Sequence, residues 1–205
     1  MKLICVTGPD GSGKTTQIGR LAERIERRGK KKVAPVTIWD PLIDPQSKGR
    51  VPFESPQQVD DYLSILKPTS RALFLYHCFH QALELSKRRA ADVYLLNAYW
   101  YKYYACEVAH GGDPATLQRL AEVFPEPAVT FHLRIEPAEA AKRKVRLSGY
   151  ETGFASPRTK EAFVEFQHRA HRAMNDLAAQ RGWVELNGTE SIDALTDTLL
   201  SKIEC

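Results

Sequence analysis

The residues best suited to chemistry lie at the start of the chain. Gly8, Gly13, Lys14 and Thr15 satisfy the spacing G-x-x-x-x-G-K-[ST] in full, within Gly8-Pro9-Asp10-Gly11-Ser12-Gly13-Lys14-Thr15. Glycines at 8, 11 and 13 allow a backbone curl whose N–H groups converge on phosphate oxygens. A helix starting there adds its dipole and its unsatisfied donors. Lys14 can reach the β- and γ-phosphates, and the Thr15 hydroxyl can ligate Mg²⁺. The candidate nucleotide set is therefore Gly8, Asp10, Gly11, Ser12, Gly13, Lys14, Thr15 and Thr16, holding ATP with Mg²⁺ on Thr15 and Asp10.

Asp10 is the informative member. A carboxylate beside phosphates is repelled by them unless it has a task, such as meeting the water shell of Mg²⁺ or orienting an acceptor oxygen. An Asx-type turn is the other reading. Arg143 and Arg146 could clamp the transferring phosphoryl group, or be solvated residues of a basic helix. With Asp10 and Lys14 they complete the candidate catalytic set. Asn187 follows the last strand, where open α/β sheets bind ligands, although Thr189 or Ser191 capping the next helix accounts for that loop equally well.

His77 with His80, and His168 with His171, share helix faces, but a third zinc ligand at diagnostic spacing is missing from the sequence. No G-x-S-x-G motif supports nucleophilic catalysis. Tyr99-Trp100-Tyr101-Lys102-Tyr103-Tyr104 is the most unusual stretch. Its rings could wall a pocket for a flat ligand, pack as core, or form a partner interface.

The elements that must position these groups alternate between strand and helix. Apolar runs at 2–7, 33–39, 92–97, 128–133 and 183–186 predict strands. Helical spacing predicts helices over 15–28, 57–66, 70–89, 99–109, 137–147, 159–181 and 192–203. Residues 41–56, with Pro41, Pro45, Pro52 and Pro56, read as a loop or mobile connection. This order implies one α/β domain over 1–205, a three-layer P-loop NTPase fold with a five-stranded parallel sheet flanked by helices.

Composition sets the outer limits. Hydrophobic residues at 43% and charged residues at 26% are globular values, and a net charge of +4 argues against nucleic acid as partner. The basic run Arg27–Lys32 fits a helix end favoured by the dipole. Four scattered cysteines without a CxxC pair suit a reducing compartment. No apolar run nears the roughly 18 residues of a membrane span. A cytoplasmic protein with no membrane partner and a small-molecule acceptor is the expectation.

The segment Gly8 to Gln17, followed by Leu21-Ala22-Glu23, resembles the opening of the thymidylate kinase family of nucleoside monophosphate kinases. The resemblance implies ATP-dependent phosphoryl transfer to a nucleoside monophosphate or a related small acceptor, and commonly a homodimer, for which the apolar helices between 70 and 110 could supply the surface. Asp40-Pro41 sits where that family has an acidic residue and proline, and Phe74 resembles its base-stacking phenylalanine. Residues 143–158, carrying Arg143, Arg146 and Arg158, are similar to its lid, Asn187 to its adenine-side loop. Asp40, Arg50, Phe74 and Tyr99 are then the candidate acceptor residues.

The acceptor half departs from the pattern. The family's Asp-Arg-Tyr reads Asn97-Ala98-Tyr99, and two further arginine positions hold Trp39 and Cys78. At about 1.5–3 kcal/mol per charge-assisted bond, thymidylate binding would be badly weakened. Arg50, Arg71 or Lys102 could compensate. An acceptor without a phosphate, such as a nucleoside or another alcohol, would suit the losses. So would a degenerate ATP-binding regulatory protein, which Asn97 favours.

Overall fold

The computed structural model describes residues 2–29, 31–46, 53 and 55–203. Five parallel strands, β1 (Lys2–Thr7), β2 (Val33–Val36), β3 (Val93–Asn97), β4 (Val129–Arg134) and β5 (Val184–Asn187), form one sheet in the order β2-β3-β1-β4-β5. Central β1 is buried from Leu3 to Thr7, as the apolar run required. Pro35, which cannot donate to a ladder, is tolerated because β2 lies at the sheet edge.

Alternation along β1 sends its side chains into two separate core layers. Leu3 and Cys5 face helices α3 (Pro56–Ile65), α4 (Pro68–Lys87), α5 (Tyr99–Ala109) and α8 (Lys160–Arg181). Ile4 and Val6 face α1 (Lys14–Gly29) and α9 (Ile192–Ile203). The three-layer α/β arrangement is the one expected of a P-loop NTPase.

Three differences from the sequence expectation have local causes. The proline-rich segment begins with a short helix, α2 (Asp40–Ile43), and a further helix, α6 (Pro114–Leu120), follows α5. Helix α6 starts on a Pro with Asp113 accepting from the Thr116 N–H, a start signal present in the sequence. Helix α7 (Pro137–Arg143) stops at Arg143 rather than running on to 147.

The aromatic run on α5 is interior. Tyr99, Trp100, Tyr101, Tyr103 and Tyr104 are all buried, with Tyr99 set edge-on to Phe79, Tyr101 and Phe124. These rings are core, and α5 cannot offer them to a second copy. Entry into α5 is unusual, since Ala98 and Tyr99 both take positive φ, 68° and 58°. Left-handed backbone without glycine costs on the order of 1–3 kcal/mol per residue and persists only where neighbours hold it. Here the Ala98 N–H donates to the Val6 carbonyl at 2.9 Å, and the Thr7 hydroxyl donates to the Ala98 carbonyl at 3.0 Å.

Candidate active site

The loop between β1 and α1 is shaped by glycines that nothing else could replace. Gly8 has φ +143°, and a Cβ there would lie 2.6 Å from the Leu133 carbonyl oxygen. Gly11, at φ +83°, would meet the Ala140 carbonyl oxygen at 2.9 Å. Buried Ser12 donates its N–H to the Pro9 carbonyl. Lys14 is folded into the loop, its Nζ donating to the Pro9 carbonyl at 2.6 Å. Burial lowers the Lys14 pKa to about 8, against the pull of Asp10 in the other direction. An ammonium so poorly solvated gains strongly when a phosphate arrives.

Asp10 leans out of this loop onto α5. Its Oδ1 accepts from Lys102 Nζ at 2.7 Å, with both side chains largely buried. Burial alone would raise the Asp10 pKa, but Lys102 and then Lys14 outweigh it and hold the carboxyl down to about 2. The same pairing keeps Lys102 well above the usual lysine range despite its own burial. Asp10 Oδ2 is buried without a hydrogen-bond partner, as is His171 Nε2, and both residues line one crevice of about 10 Å³ behind the loop.

In front of the loop lies a cavity of about 580 Å³. One end is the phosphate loop, contributing Asp10, Gly11, Gly13, Lys14, Thr15 and Thr16. The other end is walled by Trp39, Phe53, Val59, Leu63, Phe74 and Leu75, with Phe74 edge-on to both Phe53 and Tyr62 at 5.6 and 5.3 Å. Asn97 sits between the two ends, its side-chain amide 3.1 Å from Thr15 Oγ1.

The segment expected to be a lid, 143–158, closes one side. Asp60 on α3 accepts the N–H groups of Gly149 and Tyr150 at 2.8 and 2.9 Å and pairs with Arg158 at 3.2 Å. The Tyr150 hydroxyl donates to fully buried Glu107 at 2.8 Å, and Lys144 pairs with Glu151 at 2.7 Å. Burial raises the Glu107 pKa to about 7, with Arg71 and Tyr150 opposing.

The geometry divides the expected residues. The loop residues Asp10, Gly11, Gly13, Lys14, Thr15 and Thr16 share one cavity with Phe74. Arg143 spans two loops, its guanidinium donating to the Gly188 carbonyl at 3.1 Å and lying 3.4 Å from that of Gly11. Arg146 is exposed and does not line the cavity. Tyr99 is corrected: the core holds its ring, and its hydroxyl donates to the Pro125 carbonyl at 2.7 Å. Asp40 spends both oxygens elsewhere, accepting from Thr37 Oγ1 at 2.9 Å and pairing with Arg89 at 2.8 Å.

Asn187 is exposed and accepts from Thr189, an Asx-type turn at the end of β5. Of the three basic residues weighed as compensation, Lys102 reaches the cavity. Arg71 is buried against Glu107 and the Leu63 carbonyl, and Arg50 lies outside the described residues. Lys144, just past the end of α7 at Arg143, lines the cavity as well.

The loop fits a triphosphate. It combines three positive-φ glycines, a helix N-terminus and a buried lysine, and nothing lies within 4 Å of the position a Gly13 Cβ would take. Mg²⁺ in such sites takes one or two protein oxygens and otherwise phosphates and waters. The Thr15 hydroxyl in the cavity suits that demand, and Asp10, which lines the same cavity, could meet the ion's water shell. Among the described residues no cluster of three His, Cys, Asp or Glu could hold a metal by itself, and no helix is long and apolar enough to cross a membrane.

No protein-family profile matches the chain. It is similar to the thymidylate kinase of Chlorobium chlorochromatii (strain CaD3), 26% identical over 225 aligned positions that cover 98% of this chain and 94% of that protein. A thymidylate kinase of Pelodictyon phaeoclathratiforme is 24% identical, covering 97% and 94%. A probable thymidylate kinase 1 of Saccharolobus solfataricus is 27% identical over 147 positions, 71% and 70% of the two chains. Two of these likenesses run along nearly the whole of this chain.

Proposed function

We propose that this chain is an ATP-dependent kinase that transfers a phosphoryl group to a nucleotide- or nucleoside-like acceptor. One observation carries the reading: a phosphate-binding loop and an aromatic-walled chamber open into a single cavity beneath a docked lid. The similar thymidylate kinases support the same reaction class.

In this mechanism the loop N–H groups and Lys14 hold the triphosphate, and Arg143 steadies the adjoining Gly11 and Gly188 loops. The acceptor lies against Phe74. Its attacking oxygen, a hydroxyl in a nucleoside or a phosphate oxygen in a nucleotide, bonds to the γ-phosphorus, the bond to the bridging oxygen breaks, and the electron pair stays on ADP. A carboxyl held down to about 2 is a poor base, so Asp10 positions rather than deprotonates, and the proton of a nucleoside hydroxyl leaves through the phosphoryl oxygens to water. Mg²⁺ at Thr15 supplies charge neutralisation on the phosphates when bound. Lys102, fixed by Asp10, adds a positive charge at the junction where transfer occurs. The lid excludes water, which limits futile hydrolysis.

Coupled measurement of ADP formation against nucleosides, nucleoside monophosphates and small alcohols tests this directly. Acceptor-dependent ADP formation that Lys14→Ala abolishes is expected. Tight ATP binding with no acceptor-dependent turnover would support instead a regulatory ATP-binding protein, the reading favoured by Asn97 where a carboxylate would stand beside Thr15.

A further inference from the structure

We propose that the acceptor is an electrically neutral nucleoside rather than a nucleoside monophosphate. The inference rests on the kinase reading and names the substrate class of the same cavity.

Charge placement carries it. Among the described residues the lysines and arginines lining the cavity are Lys14, Lys102 and Lys144. Lys14 belongs to the donor phosphates. Lys102 is matched by Asp10 and Lys144 by Glu151, each at 2.7 Å. The third lining carboxylate, Asp60, is paired with Arg158 and two lid N–H groups. Among the described residues, two of the three lining lysines are therefore matched before any ligand enters, and the remaining one, Lys14, faces the triphosphate. A second phosphate would bring a dianion into a space whose lysines are already committed, and burying an uncompensated charge is strongly unfavourable.

The far end of the chamber has the complementary chemistry. Phe53, Phe74 and Trp39 present ring surface for a flat ligand. Thr37 and Gln81, with Asn97 nearer the phosphate loop, offer uncharged donors and acceptors able to read base edges or sugar hydroxyls. Cys78, also on this wall, is a neutral thiol, since burial pushes its pKa up to about 11.

The test is calorimetric, with the full chain, Mg²⁺ and a non-hydrolysable ATP analogue. Thymidine, deoxycytidine, deoxyadenosine and deoxyguanosine are each compared with their 5′-monophosphates. At least one nucleoside is expected to bind tenfold or more tightly than its monophosphate. Cys78→Arg, which puts a cation on the wall, is expected to shift that ratio tenfold or more towards the monophosphate. Tighter binding of the monophosphates, an unshifted ratio in Cys78→Arg, or binding by neither class would overturn the proposal. A monophosphate preference that vanishes in Arg50→Ala would overturn it as well. Because the readout is binding, it separates from the kinase reading, which fails only if no acceptor raises ADP formation.

Discussion

Lys102 Nζ stands 2.7 Å from Asp10 Oδ1, an ion pair that ties α5 to the phosphate loop across 92 residues of sequence. Its partners are mutually dependent, because each would otherwise be a buried, unmatched charge. Lys102→Met alone is expected to cost about 3 kcal/mol of stability, by the penalty for stranding one partner. The double variant with Asp10→Asn should recover a large part of it. Urea unfolding of the singles and the double checks this, and additive losses would show that the pair is not coupled.

Lys14 sets a pH limit on nucleotide binding. Its charged form binds phosphate, and its pKa in the free protein is lowered to about 8. ATP affinity is thus expected to be flat below that pH and to fall about tenfold per unit above it, with a proton taken up on binding. For stability the sign reverses. The folded chain releases this proton before the unfolded one, so the burden of the charged lysine lightens as pH rises from about 8 towards 10.5. Calorimetry in buffers of different ionisation enthalpy checks the proton uptake, and Lys14→Arg should flatten the affinity profile.

Asn97 lies beside the hydroxyl expected to meet Mg²⁺. Asn97→Asp puts a negative charge there without changing the shape of the side chain. Mg²⁺ titrations of nucleotide binding should show a midpoint lowered about tenfold, a gain of ~1.4 kcal/mol. A midpoint that stays in place would remove Thr15 from the proposed metal contact.

How much of this was legible beforehand differed between the two ends of the cavity. The phosphate loop is local: glycine spacing, the strand before it and the helix after it are contiguous in sequence, so Gly8 to Thr16 could be placed without a fold. Phe74 was reachable only through resemblance, because helical spacing does not say which α4 residues face a cavity. Tyr99 misled, since aromatic residues that could wall a pocket and those that fill a core look the same in sequence. The positive φ at Ala98 and Tyr99 turned that ring inward. The partner of Asp40 was out of reach for a related reason: Arg89 lies 49 residues away. Lys102, a lone cation within an aromatic run, was within reach as possible compensation, but its pairing with Asp10 across 92 residues was not.

Asp60 holds the lid by two N–H groups and Arg158. Asp60→Ala is expected to leave the fold intact but free residues 149–158. Acceptor-independent ATP hydrolysis should rise several-fold relative to transfer, because water then reaches the phosphoryl group. Hydrogen exchange across 149–158 and the ratio of hydrolysis to transfer are the measurements. Unchanged values in both would show that other contacts hold the segment.

The turn at Ala98 and Tyr99 has a thermodynamic consequence for any ligand. Unfavourable backbone geometry there is held in place by β1, through Val6 and Thr7. It also directs Asn97 towards Thr15 and starts the helix that carries Lys102 to Asp10. The entropy of ordering these groups is therefore lost once, when the chain folds, and not again at each binding event. Between turnovers the transfer junction keeps its shape, and the parts left to rearrange are those that admit and release the ligand.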